Sequence, residues 1–154
     1  MAKLEGTFNP FDLVDFEIPK AKRKEALAEV ATYLKEEVLS YVGSAKSPVD
    51  GENFEPLSKA WKKIKKEKSS STKANLEYTG DMLDHFDVKV KSGEVALGVY
   101  GPKFAVDKAR GHNQHAGDEH EFLPIRRFIP EDGEGLTPKI QKKVAEILEN
   151  YRED

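Results

Sequence analysis

Three of the chain's four histidines fall within ten residues, GHNQHAGDEH at 111–120, with Asp118, Glu119 and Glu121 beside them. Zinc takes three or four nitrogen and oxygen ligands. His112, His115 and His120 therefore supply enough donors for a metal-dependent hydrolase. The spacing argues against that use. The helical zinc motif sets two histidines four apart with a glutamate between them. Here the first pair is three apart, and Gly111 and Gly117 flank it. Glycines in those places predict a solvated polar loop. No second cluster of histidine and carboxylate exists to complete a two-metal centre.

Other chemistry is more weakly written. The serine run at 69–71 has no glycine-flanked elbow of the kind that presents a nucleophile. "GVYGPK" lacks the Gly-Lys-Ser/Thr ending of a phosphate loop. The pair Arg126-Arg127 could meet an anion, or one arginine could pair locally while the other faces a partner, if alternate residues of a short strand point apart. No catalytic residue, metal ligand or cofactor site is expected, and the chain does not read as an enzyme. The densest charge is basic. Seven lysines lie between Lys59 and Lys73 against one glutamate. Composition alone makes this a solvated, mobile segment over 59–75. The alternative is a basic finger, with Lys62, Lys63, Lys65, Lys66 and Lys68 facing DNA or an acidic protein surface.

The elements that must carry these residues follow from the hydropathy pattern. With 154 residues the chain fits one domain. The net charge of −3 gives no global basic field. Cysteine is absent, which excludes a disulfide framework and thiolate chemistry. No apolar run suits a signal peptide or a membrane span. Residues 1–10 read as a flexible arm, and 11–154 as the domain. Val14, Phe16 and Ile18 alternate with Asp15 and Glu17, which predicts a short strand ended by Pro19. From Lys20 to Tyr41, the spacing of Leu27, Val30, Ala31, Leu34, Val38 and Val42 predicts an amphipathic helix stopped at Gly43.

Leu57, Trp61 and Ile64 suit one side of a short helix. Met82, Leu83 and Phe86 suit another, capped near Thr79. "DVKVK" and "VALGVYG" around Ser92-Gly93 predict a β-hairpin. "PKFAVDKA" is a short extended or helical piece, and "RRFIP" a strand stopped by Pro130. Thr137-Pro138 opens a last helix whose stripe is Leu136, Ile140, Val144, Ile147, Leu148 and Tyr151. Strands and helices do not alternate as βαβ units. The expected fold is therefore α+β, a mostly antiparallel sheet packed by a long N-terminal helix and a C-terminal helix, with a projecting Lys-rich loop.

Four stretches recur in a meaningful order: FEPLSKAWKKIKK (54–66), NLEYTGDML (75–83), FAVDKARGHNQHAG (104–117) and LPIRRFIP (123–130) before the closing helix. Together they resemble the phage virion morphogenesis, or tail-completion, family of the Mu G-like and P2 S-like kind. A related alternative is the HK97-type head–tail joining group of minor head proteins. There a glutamate would stand near His112-Asn113.

The resemblance implies a structural role in a tailed-phage virion, made in the host cytoplasm. It implies a ring-forming neck, tail-completion or tail-terminator protein at the head–tail junction, commonly hexameric. The partners it implies are other copies of the chain, a connector or adaptor, and the tail tube or terminator. A ring needs heterologous contacts. Phe8, Phe11, Leu57, Trp61, His112, Asn113, Arg126 and Arg127 are the candidate subunit or partner contacts. Leu4, Phe8 and Phe11 look hard for a monomer to cover. A lysine-rich loop in the channel would touch passing DNA without regard to sequence. No membrane contact is expected.

Overall fold

A computed structural model describes residues 3–54, 83–113, 127–132 and 136–152. The elements run β1 (Lys3–Phe8), a 3-10 turn (Pro10–Leu13), α1 (Lys20–Gly43), a second 3-10 turn (Leu83–His85), β2 (Phe86–Lys91), β3 (Glu94–Tyr100), α2 (Lys103–Asn113) and α3 (Pro138–Glu149). The sheet is antiparallel in the order β1-β3-β2. With helices packed on one side of it, the fold is the expected α+β type.

The long helix forms for the reason its spacing gives. Ala26, Leu27, Val30, Ala31, Leu34, Val38 and Val42 recur on one face and are all buried. Burying each Leu or Val contributes about 1.5–3 kcal/mol. Its N-terminus has no side-chain cap, and the Arg23 side chain, one turn in, donates to the Ile18 carbonyl at 2.9 Å. At the other end Gly43 is still helical. The left-handed residue that turns the chain out is Ala45, at φ 59°, and Lys46 N–H closes back onto the Tyr41 carbonyl at 2.9 Å.

The following loop ties three parts of the body together. Ser47 donates through Oγ to the Arg127 carbonyl at 2.7 Å, and Thr137 N–H donates to the Pro48 carbonyl at 3.0 Å. α3 begins as expected: Thr137 Oγ1 accepts from Ile140 N–H, and Pro138 takes the first helical position.

The hairpin turns through Ser92 (φ 45°) and Gly93 (φ 85°), two positive angles that match the twist of the strands. Register then sorts the side chains. Leu4, Gly6 and Phe8 line up with Val99, Leu97 and Val95, and these with Phe86, Val88 and Val90. This face meets the helices. Phe128, fully buried, lies against it with its ring 6.2 Å from that of Phe86. The chain from Phe128 to Asp132 crosses β1 so closely that a Cβ at Gly6 would overlap the Pro130 carbonyl. Asp132 Oδ1 then accepts from Thr7 N–H at 3.0 Å, which satisfies a donor on the sheet's edge.

Several expectations need correction. Residues 3–8 are no flexible arm but an edge strand, paired residue for residue with β3. Backbone pairing makes this possible although the stretch shows little apolar alternation. Leu4, Phe8 and Phe11 are covered within the one chain, packing half-buried on the core. Val14–Ile18 is not a strand; Pro10 starts a 3-10 turn and irregular chain leads to Pro19. Phe86 opens β2 instead of closing a helix. Residues 127–130 form no strand: Phe128 and Ile129 are both buried, so the alternation that would set neighbouring side chains on opposite faces is missing. "PKFAVDKA" takes the helical of its two expected forms from Lys103, but α2 continues through Gly111 to Asn113, so the histidine stretch starts on a helix. The Lys-rich segment 59–75 lies outside the described residues.

Candidate assembly surfaces

Of the residues singled out by type and spacing, Phe8 sits at the end of β1 and Phe11 in the first 3-10 turn. The Arg23 guanidinium lies 5.9 Å from the Phe11 ring centroid. Arg127 is half-buried, and its carbonyl is held by Ser47. His112 and Asn113 lie at the C-terminal end of α2. Leu57, Trp61, Arg126, His115, His120 and the lysines at 62, 63, 65, 66 and 68 lie outside the described residues. Among the described residues no group of three or more His, Cys, Asp or Glu side chains is placed to hold a metal ion. No described helix is long and apolar enough to cross a membrane.

The structure brings together other groups. The sheet face turned away from the helices carries a charged network centred on Glu5. Its carboxylate accepts from Lys3 at 3.2 Å, from Lys91 at 2.9 Å and from the Tyr100 hydroxyl at 2.8 Å. The Lys89 ammonium sits 3.8 Å above the Tyr100 ring centroid. Partial burial by itself would raise the Glu5 carboxyl. The hydrogen bonds from Lys91, Tyr100 and Lys3 outweigh it and hold the group at about 2. The Tyr100 hydroxyl is pushed up, by burial first and by its bond to Glu5 second.

Because Glu5 is depressed in the folded protein, its contribution is fully present above the ordinary value of 4.5. It is lost as pH falls from there toward 2. Glu5→Gln is expected to cost on the order of 1–2 kcal/mol at pH 7 after solvent screening. That cost should shrink as the pH is lowered from 4.5 toward 2. Urea denaturation of both proteins across this range measures it, and a pH-independent difference would contradict it.

A second surface is a hollow of about 760 Å³ between residues 12–16 and α3. Its floor is apolar and half-buried, made by Leu13, Val14, Phe16 and Ala145. Its rim carries Asp12, Asp15, Glu146 and Glu149 against Lys142. Glu149 is engaged by Arg152 at 3.2 Å and Glu146 by Lys143 at 3.9 Å. Asp12 and Asp15 are exposed, with no ion-pair partner among the described residues. Arg152 also reaches over the Phe16 ring, 5.0 Å from its centroid. The alternation that suggests a strand over Val14–Ile18 gives no sign of this hollow, since Val14 and Phe16 line its floor instead. The visible signal was the close spacing of Asp12 and Asp15 around the apolar pair Leu13-Val14.

A third surface is a hollow of about 590 Å³ between α1 and β2, the outer strand on the other side of the sheet from β1. Ala28, Ala31, Leu39, Val88 and the exposed Val90 line it, with Lys35 and Asp87 paired across it at 3.4 Å.

The profile of the phage virion morphogenesis family matches residues 11–153. The chain belongs to that family. No curated protein and no solved structure matches it. As a phage virion morphogenesis protein it is a bacteriophage virion-associated protein with a structural or assembly role. Both walls of the hollow at 12–16 fall inside the matched stretch, as do β2, β3 and the three described helices. β1 and its Glu5 lie ahead of it.

Proposed function

We propose that this protein is a ring-forming component of a tailed-phage head–tail junction. In this reading it completes the tail or joins it to the connector, and it catalyses no reaction. The observation that carries the reading is the family match across residues 11–153. The order of the four sequence stretches and the small α+β body with shallow hollows on its surface support it. A closed ring needs two different patches on each subunit that fit each other. It also predicts contacts above and below the ring, with a connector or adaptor on one side and tail components on the other.

Electron microscopy of the purified protein, and of virions decorated with antibody against it, tests the reading. Rings in solution and label at the junction are expected. A strictly monomeric protein that is absent from virions would overturn it.

A further inference from the structure

We infer that the acidic hollow between residues 12–16 and α3 seats the Lys-rich segment, residues 57–68, of a neighbouring copy of the chain. The inference deepens the ring reading and rests on it. Three observations meet here.

The first is charge and polarity. The hollow has an apolar floor of Leu13, Val14, Phe16 and Ala145 beneath four carboxylates and one lysine, and two of the carboxylates, Asp12 and Asp15, have no ion-pair partner among the described residues. Residues 59–68, KAWKKIKKEK, hold six lysines against one glutamate. Leu57, Trp61 and Ile64 are the apolar residues in the same stretch. A stretch that mixes apolar residues with lysines is chemically complementary to an apolar floor with acidic rims.

The second is position. The described chain stops at Phe54 and resumes at Leu83, the two roots of the segment. Phe54 N–H donates to the carbonyl of Ala45, just past the C-terminal end of α1. Phe86, three residues after Leu83, packs on Phe128, the neighbour of Arg127, whose carbonyl Ser47 holds. Both roots therefore sit at the C-terminal end of α1. The hollow sits toward the other end. α3 runs antiparallel to α1, with Thr137 near Tyr41 (3.4 Å) and Tyr151 donating to Glu29 (3.1 Å). Glu29 to Tyr41 spans about 18 Å at 1.5 Å per residue.

The third is symmetry. A donor at one end and an acceptor at the other make a heterologous pair on one subunit. Repeated head to tail, such a pair builds a ring where the rotation between subunits closes.

Two charge-reversed variants test this. One carries Asp12→Lys and Asp15→Lys in the hollow. The other carries Lys62→Glu, Lys63→Glu, Lys65→Glu and Lys66→Glu in the segment. Circular dichroism melting first establishes that both fold. Sedimentation velocity then measures assembly. Each variant alone is expected to self-associate at least about tenfold more weakly than the wild type. Mixed one to one, they should assemble again, because each reversed hollow now meets a reversed segment.

Assembly of the hollow variant at wild-type strength would overturn the inference while leaving the ring reading in place. So would a segment variant that assembles normally and loses only DNA binding. Failure of the mixture to recover would count against direct pairing. A wild type that never forms rings would remove both the inference and the reading on which it rests.

Discussion

Replacing Phe128 by alanine is expected to lower the stability of the folded protein by about 3–5 kcal/mol. Phe128 has no exposed surface and heads the fully buried side chains by volume. It is the plug between the sheet and the loop after α1. Its ring packs on Phe86 of β2, while the preceding carbonyl is fixed by Ser47. Truncation forfeits the transfer energy of the ring and leaves a cavity whose walls are a strand and a hydrogen-bonded loop, neither free to collapse. Guanidinium denaturation with an unchanged m-value checks the figure. A loss below about 1 kcal/mol would mean that the walls do close in.

The second large effect belongs to Gly6. Alanine there places a Cβ on the Pro130 carbonyl, a backbone atom that has no rotamer to escape into. About 1–3 kcal/mol is expected from such overpacking. The strain has a specific outlet: the Phe128–Asp132 stretch must lift from β1. Thr7 N–H would then lose its bond to Asp132. Hydrogen exchange at Thr7 is the sensitive readout, and its amide should exchange faster in Gly6→Ala even under conditions where global stability is ample. Unchanged protection at Thr7 would show that the crossing is looser than the contact implies.

Both residues show where sequence reading succeeds and where it stops. The long helix, the hairpin and the last helix follow from local periodicity and capping: Leu27 to Val42 at helical spacing, Val88 and Val95 to Val99 in alternation, Thr137-Pro138 as a start. Each carries its own information. β1 does not. KLEGTF has a glycine where a strand would have a large residue, because the chain at Pro130 needs that space. It reads as an arm until β3 is placed beside it.

The run at 127–130 misleads in the opposite way. Two successive apolar residues, Phe128 and Ile129, suit a strand in isolation, but both are buried in a crossing segment. The histidine stretch drew notice by composition, yet its first residues extend α2. The hollow at 12–16 depends on α3 lying against a turn more than a hundred residues earlier. No local pattern records a wall built from two such distant pieces.

The pairing of β1 with β3 also sets an order of events during synthesis. Leu4 pairs with Val99 and Phe8 with Val95, so about 90 residues separate each partner from its mate. At a translation rate of about 5–20 residues per second, β1 is made roughly 5–20 s before the strand it must join. Through that interval the strand that takes its backbone hydrogen bonds in the folded sheet does not yet exist. The hairpin of β2 and β3, joined by two residues, faces no such delay. The sheet's third strand is therefore the earliest made and the longest kept waiting for its place.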